Sequence, residues 1–169
     1  MNYLLFTLLN TTLFISFSQG QEHKINYIQY QKISVSNLIK LGDSINKLEK
    51  VFEKADSVIK NFNPIIDEIP FYYYYYAKTY FEVVENIVVG FKIRDKNFSL
   101  FSLKVGDSVK ELSLKFPISY SSKYFSGEKN DQLTVQVGIL ENEVRNDACY
   151  IIFIIGENQI KSIEYWENS

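Results

Sequence analysis

The chain has one histidine, one cysteine and one tryptophan in 169 residues. Nucleophilic triads and most transition-metal sites draw on His and Cys, so most of them are excluded before any motif is sought. Arginine is nearly absent, with two residues against sixteen lysines. Arg is the usual bidentate partner of phosphate and carboxylate groups, so nucleotide and nucleic-acid readings lose their commonest anchor. An excess of basic charge is missing too: 18 basic residues face 20 acidic ones, for a net charge of −2. That balance leaves no electrostatic footprint for a phosphate backbone. The seven glycines form no phosphate-cradling cluster. With only three prolines and 46% hydrophobic residues, the chain is too apolar to be disordered.

The first twenty residues hold no charged side chain, and Leu4 to Phe17 is an apolar run. Ser18-Gln19-Gly20 then sets small residues where a signal peptidase reads them. This is the layout of a secretory signal over 1–20, with a mature start at Gln21, although no Lys or Arg precedes the apolar core. A membrane anchor needs about 20 apolar residues, and Asn10-Thr11-Thr12 interrupts this shorter run. No Cys follows it to carry a lipid, and no later stretch is long and apolar enough to span. The expectation is an exported protein, periplasmic or secreted, with no integral membrane segment in the mature chain.

Lone side chains carry little chemistry here. Cys149 lies in Ala148-Cys149-Tyr150-Ile151-Ile152-Phe153-Ile154-Ile155, which reads as a buried strand. The one histidine, His23, stands far from it in sequence, so a Cys–His pair is not expected. Trp166 is expected to pack the last strand. Asp67-Glu68 and the set Glu141, Glu143 and Asp147 are the acidic groups that a hard cation would seek, but they lack the spacing of a calcium loop. No catalytic residue, metal site or cofactor is therefore expected, and no nucleic-acid partner.

The chain does repeat itself. Lys40-Leu41-Gly42-Asp43-Ser44-Ile45-Asn46-Lys47-Leu48-Glu49-Lys50-Val51-Phe52 returns 64 residues later as Lys104-Val105-Gly106-Asp107-Ser108-Val109-Lys110-Glu111-Leu112-Ser113-Leu114-Lys115-Phe116, with six of thirteen positions identical. Gly ends an extended approach and Asp or Ser caps a helix. Ser108 and Glu111 have capping-box spacing. Ile45, Leu48 and Phe52, and likewise Val109, Leu112 and Phe116, make one apolar stripe at i, i+3 and i+7. A connector from about Asp56 to Pro70 follows the first helix, and a polar loop from Ser119 to Asp131 the second. Three strands are read after each: 71–77, 79–84 and 87–94, then 132–139, 148–155 and 160–166. Glu85-Asn86 and Glu157-Asn158 sit at equivalent tight turns, where Asn tolerates positive φ.

The order is helix then three strands, twice. The expected fold is α+β: two tandem repeats, each a short helix packed on a three-stranded antiparallel sheet. Residues 21–97 would form the first repeat with its lead-in and 98–169 the second. The two would share one core, because either alone is marginal in size, and their sheets could join into one longer sheet.

The unit Gly-Asp-Ser-apolar-x-x-Leu-x-x-x-Phe followed by a three-stranded meander resembles the tandem repeat of β-lactamase inhibitory proteins. It also resembles the single unit of small outer-membrane lipoproteins of the SmpA/OmlA type. The resemblance covers about Ile33 to Trp166 and implies a fold that grips other proteins. The disulfides of the inhibitors and the lipidated Cys of the lipoproteins have no counterpart here, so neither of their activities is implied.

Phe71-Tyr72-Tyr73-Tyr74-Tyr75-Tyr76 is the most unusual local feature. On a strand, Tyr72, Tyr74 and Tyr76 point to one face and Phe71, Tyr73 and Tyr75 to the other. If helices cover one face only, at least two tyrosines stand out beside Tyr80 of the next strand. Tyr offers a large rigid surface plus a hydroxyl, so Tyr72, Tyr73, Tyr74, Tyr75, Tyr76 and Tyr80 are the candidate contacts for a protein or peptide. The competing reading is a carrier of a small apolar ligand, held in a pocket between sheet and helices.

Overall fold

The computed structural model describes residues 24–62, 69–126 and 132–167. The proposed signal, His23 and the Asp67-Glu68 pair lie outside these residues. The chain runs β1 (Tyr27–Gln29), a 3-10 turn (Tyr30–Lys32), β2 (Ser34–Val35), β3 (Ile39–Lys40), α1 (Ile45–Phe52), β4 (Ser57–Asn61), β5 (Phe71–Tyr76), β6 (Thr79–Val84) and β7 (Ile87–Ile93). It continues through β8 (Ser99–Leu100), β9 (Leu103–Lys104), α2 (Val109–Lys115), α3 (Pro117–Ser121), β10 (Tyr124–Ser126), β11 (Gln132–Glu141), β12 (Val144–Gly156) and β13 (Gln159–Glu167).

This is not the α+β arrangement expected from the sequence. The protein is mostly β, and nine strands form one mixed sheet in the order β1-β11-β12-β13-β7-β6-β5-β4, with β10 also on β11. Three features replace two repeats of a helix on a three-stranded sheet. The last strands of the two halves pair with each other, Ile163 with Ile93 and Glu164 with Lys92. The expected connector after α1 contains a strand, β4, which pairs with the tyrosine strand from Ser57–Tyr75 to Asn61–Phe71. The lead-in supplies β1, which pairs parallel to β11. A second sheet, β3-β2-β8-β9, joins two short hairpins through Val35 and Leu100. The amide of Ser36 donates to the Ser99 carbonyl at 2.7 Å across that junction.

The thirteen-residue recurrence has a structural counterpart in backbone bonds. The Asp43 carboxylate accepts from the Lys40 amide at 2.7 Å, and Asp107 accepts from Lys104 at 2.7 Å. The Gly42 amide donates to the Val88 carbonyl and the Gly106 amide to that of Ile160. Each Asp therefore closes the turn before its helix rather than capping the helix. Ser44 does cap α1, accepting from the Lys47 amide, whereas Ser108 makes no side-chain cap and the expected capping box is not formed. The turns at Glu85-Asn86 and Glu157-Asn158 both have positive φ at both residues, as two-residue hairpins with right-handed twist require.

One face of the large sheet meets α1, α2 and the small sheet. Leu48, Phe81, Ile93, Leu100, Leu112, Phe153 and Ile163 are fully buried there. Phe52 of α1 stacks on Phe81 at 5.7 Å, and Phe116 meets Phe153 at the same distance. Each such side chain contributes roughly 1.5–3 kcal/mol when buried, so the apolar stripes, not helix propensity, hold these helices of eight and seven residues in place.

Gly42 and Gly106 have φ of +87° and +95°, with open space where a Cβ would stand. Only the backbone therefore resists a side chain. Gly42→Ala and Gly106→Ala should each cost about 1–2 kcal/mol and lower Tm by roughly 2–8 °C in thermal unfolding followed by circular dichroism. An unchanged Tm would show that these turns do not hold the helices in place.

Candidate functional site

Residues paired across a ladder point to the same face. Register therefore defines what the other, outer face of the large sheet presents. Tyr75, Tyr80, Lys92, Glu164, Ile152 and Gln136 form one row across six strands. The next row runs Tyr73, Glu82, Gly90 on one side and Trp166, Tyr150, Gly138 on the other. Between Gly90 and Trp166 the ladder is not paired, because β7 and β13 pair only at Ile93–Ile163 and Lys92–Glu164.

A groove of about 660 Å³ opens where that pairing stops. Phe71, Tyr80, Val84 and Val89 line one bank, and Trp166 and Glu167 the other. Phe91 and Tyr165, with ring centroids 6.3 Å apart, close it toward the core. Tyr80 is wedged between Tyr73 and Tyr75, at centroid distances of 5.0 and 5.4 Å. Trp166 is 40% exposed and stands 6.0 Å from Tyr150. Its position in β13 falls on the outer face, where it is paired with Tyr150.

The electrostatics follow from this placement. Lys92 and Glu164 form an ion pair in the middle of the sheet. Glu82 lies over Gly90, its Oε2 3.0 Å from where a Cβ would be, so a side chain at position 90 would push the carboxylate aside by a few tenths of an ångström. Among the described residues the carboxylates of Glu82 and Glu167 have no hydrogen bond or ion pair. Burial pushes the Glu82 carboxyl above its ordinary 4.5, and the Glu167 carboxylate adds to the rise. Burial also pushes the Tyr80 hydroxyl up to about 12, with Tyr73, Glu164, Glu82 and Tyr75 adding to it. Tyr80 is therefore a neutral hydrogen-bonding group throughout the physiological range.

Of the six tyrosines singled out by sequence, Tyr73, Tyr75 and Tyr80 lie on this outer face. Tyr72, Tyr74 and Tyr76 lie on the helix side: Tyr76 is buried, with its hydroxyl donating to the Glu53 carbonyl at 3.2 Å, and the other two pack at the core margin. Sequence reading missed Glu82, Lys92, Glu164 and Glu167. Their periodicity marks them as the polar side of amphipathic strands, but only the pairing of β7 with β13 brings them together. Glu141 and Glu143 lie at the β11–β12 turn and Asp147 in the β12 bulge. Among the described residues no three His, Cys, Asp or Glu side chains converge as a cation would need. Cys149 is buried on the core side. A separate concavity of about 460 Å³ lies near Lys24, Tyr27, Arg145 and Tyr150, where the Arg145 guanidinium sits 4.9 Å over the Tyr27 ring. A smaller one, about 270 Å³, lies beside α3 at Ile25, Ser119 and Tyr124.

A carboxyl whose pKa is raised on folding opposes folding when ionised. That opposition is full above the folded pKa and gone below the unfolded value near 4.5. Glu82→Gln should therefore raise Tm at pH 7, and its advantage should shrink to nothing as pH falls below 4.5. Calorimetric scans of both proteins across that range check it; a constant or reversed difference would contradict the electrostatic reading.

No family model and no curated protein matches the chain. Among solved structures, an extracellular protein containing a SCP domain from Bacillus anthracis str. Ames is similar at a TM-score of 0.48 and 10% identity, over 78% of this chain and 45% of that one. The chain thus spans less than half the length of that protein.

Proposed function

We propose that this is an exported, non-enzymatic binding module that recognises a protein or peptide through the outer face of its large sheet. The observation that carries the reading is the group of Tyr73, Tyr75 and Tyr80, whose rings touch on a face with α1 and α2 on its opposite side. Tyr-rich, half-exposed surfaces that border a groove are where interface energy concentrates. Export rests on the N-terminal layout of residues 1–20; among the described residues no helix is long and apolar enough to cross a membrane. A carrier of a small apolar ligand would need a cavity between sheet and helices. The concavities between α3 and the sheet suit it poorly: one holds about 270 Å³, below the roughly 300 Å³ of a ligand pocket, and the other is lined by Lys24, Arg145 and Asp147.

The test uses the purified protein, immobilised against cell-envelope and secreted extract from its own source. Wild type should retain a saturable partner. The double variant Tyr73→Ser with Tyr75→Ser should bind that partner about tenfold or more weakly with its circular dichroism unchanged. Tyr124→Ser, an exposed tyrosine on β10, should bind normally. Equal retention by all three proteins would contradict the assignment of the face.

A further inference from the structure

The groove between β7 and β13 has a chemical character beyond being aromatic. We propose that it takes an extended protein segment bearing Lys or Arg, with the cationic side chain seated between Glu82 and Glu167 against the rings of Trp166 and Tyr80. This deepens the peptide-binding reading above and rests on it.

Charge complementarity is the first ground. Four charged side chains line the groove: Glu82, Glu164, Glu167 and Lys92. Lys92 is engaged by Glu164, which leaves two carboxylates without a counter-charge among the described residues, one on each bank. Glu82 is half-buried and loses hydration without gaining a partner, Glu167 is exposed at the end of β13, and an organic cation between them restores what Glu82 lacks. Burial first, and the Glu167 carboxylate second, hold the Glu82 carboxyl above its ordinary range. The second ground is the aromatic wall. Tyr80 and Trp166 present π surfaces on opposite banks, and such faces attract Lys and Arg. The third ground is backbone. Because pairing ends at Lys92–Glu164, residues 89–91 and 165–167 turn strand edges toward the groove without a partner strand across it. An extended segment can hydrogen-bond to such edges. Gly90, with no side chain, lets the Glu82 carboxyl lie across β7. A small free cation would satisfy the carboxylates but not the strand edges, which is why a peptide is favoured.

Trp166 is the chain's single tryptophan, so its fluorescence reports on this groove alone. The purified protein is titrated with a short peptide of alternating Lys and Val, with its Glu-for-Lys counterpart, and with tetramethylammonium. The proposal expects a saturable emission change with the basic peptide only, weakened by salt. It expects Glu82→Gln combined with Glu167→Gln to raise Kd about tenfold, and Glu143→Gln in the β11–β12 turn to leave it unchanged. Two outcomes overturn the choice of a basic peptide: equal response to the acidic peptide, or undiminished binding by the double variant. The broader peptide reading would survive either. A saturating response to tetramethylammonium at matching affinity overturns the strand occupant in favour of a small organic cation. Silence of Trp166 toward every probe overturns the groove as the site, while loss of the native partner on Tyr73→Ser with Tyr75→Ser would still uphold the face.

Discussion

Two residue pairs join the halves of the large sheet. Ile163 opposite Ile93 and Glu164 opposite Lys92 are the whole of the β13–β7 ladder. Both isoleucines are fully buried, and each contributes roughly 1.5–3 kcal/mol by leaving water. The Lys92–Glu164 ion pair on the opposite face is partly exposed and is worth less, on the order of 1 kcal/mol or below. The apolar pair therefore supplies the adhesion, and the ion pair favours this register over a slip that would set like charges or apolar groups opposite each other. The hairpin junction at Val35 and Leu100 is the second tie, on the far side of the core. The lead-in strand β1, paired parallel to β11, is the third.

The same junction produces the groove. Antiparallel strands that paired along their full length would close the sheet between Gly90 and Trp166. Pairing that stops after two residues leaves an opening, and register delivers to its rim what the strands carry on their polar sides. The fold can hold unpaired carboxylates there because Glu82 sits on the face away from α1 and α2 and Glu167 is exposed at the end of β13, so water still reaches both. The aromatic rings beside them are tolerated for the complementary reason: Tyr73, Tyr75 and Tyr80 shield one another's edges. The result is a surface whose polar and apolar parts are both incompletely satisfied by the protein itself.

Much of the local structure is legible in the sequence. The tyrosine strand, the hairpins at Glu85-Asn86 and Glu157-Asn158, and the apolar stripes of α1 and α2 follow from period and turn chemistry. Cys149 in a buried strand does too. What is not legible is which strand lies beside which. Ser57–Asn61 has two apolar residues among polar ones and all five are exposed, so its pattern matches a connector; it becomes a strand because the tyrosine strand offers it an edge. The α+β expectation failed for that reason, and because β7 and β13 belong to distant parts of the chain yet share a ladder. The facing of Trp166 is not legible on the same account, since alternation says that neighbours oppose each other but not which face meets the helices. Glu82 and Glu167 are 85 positions apart in sequence, and only the joined sheet brings them to one groove.

The most direct test of this account is the pattern of backbone nuclear Overhauser effects between β7 and β13 in solution. The account predicts cross-strand contacts at Ile93–Ile163 and Lys92–Glu164, and none of the kind that marks paired antiparallel strands between Gly90 and Trp166. A continuous ladder through Gly90 and Trp166 would close the groove and contradict both the site and the partner it is proposed to hold.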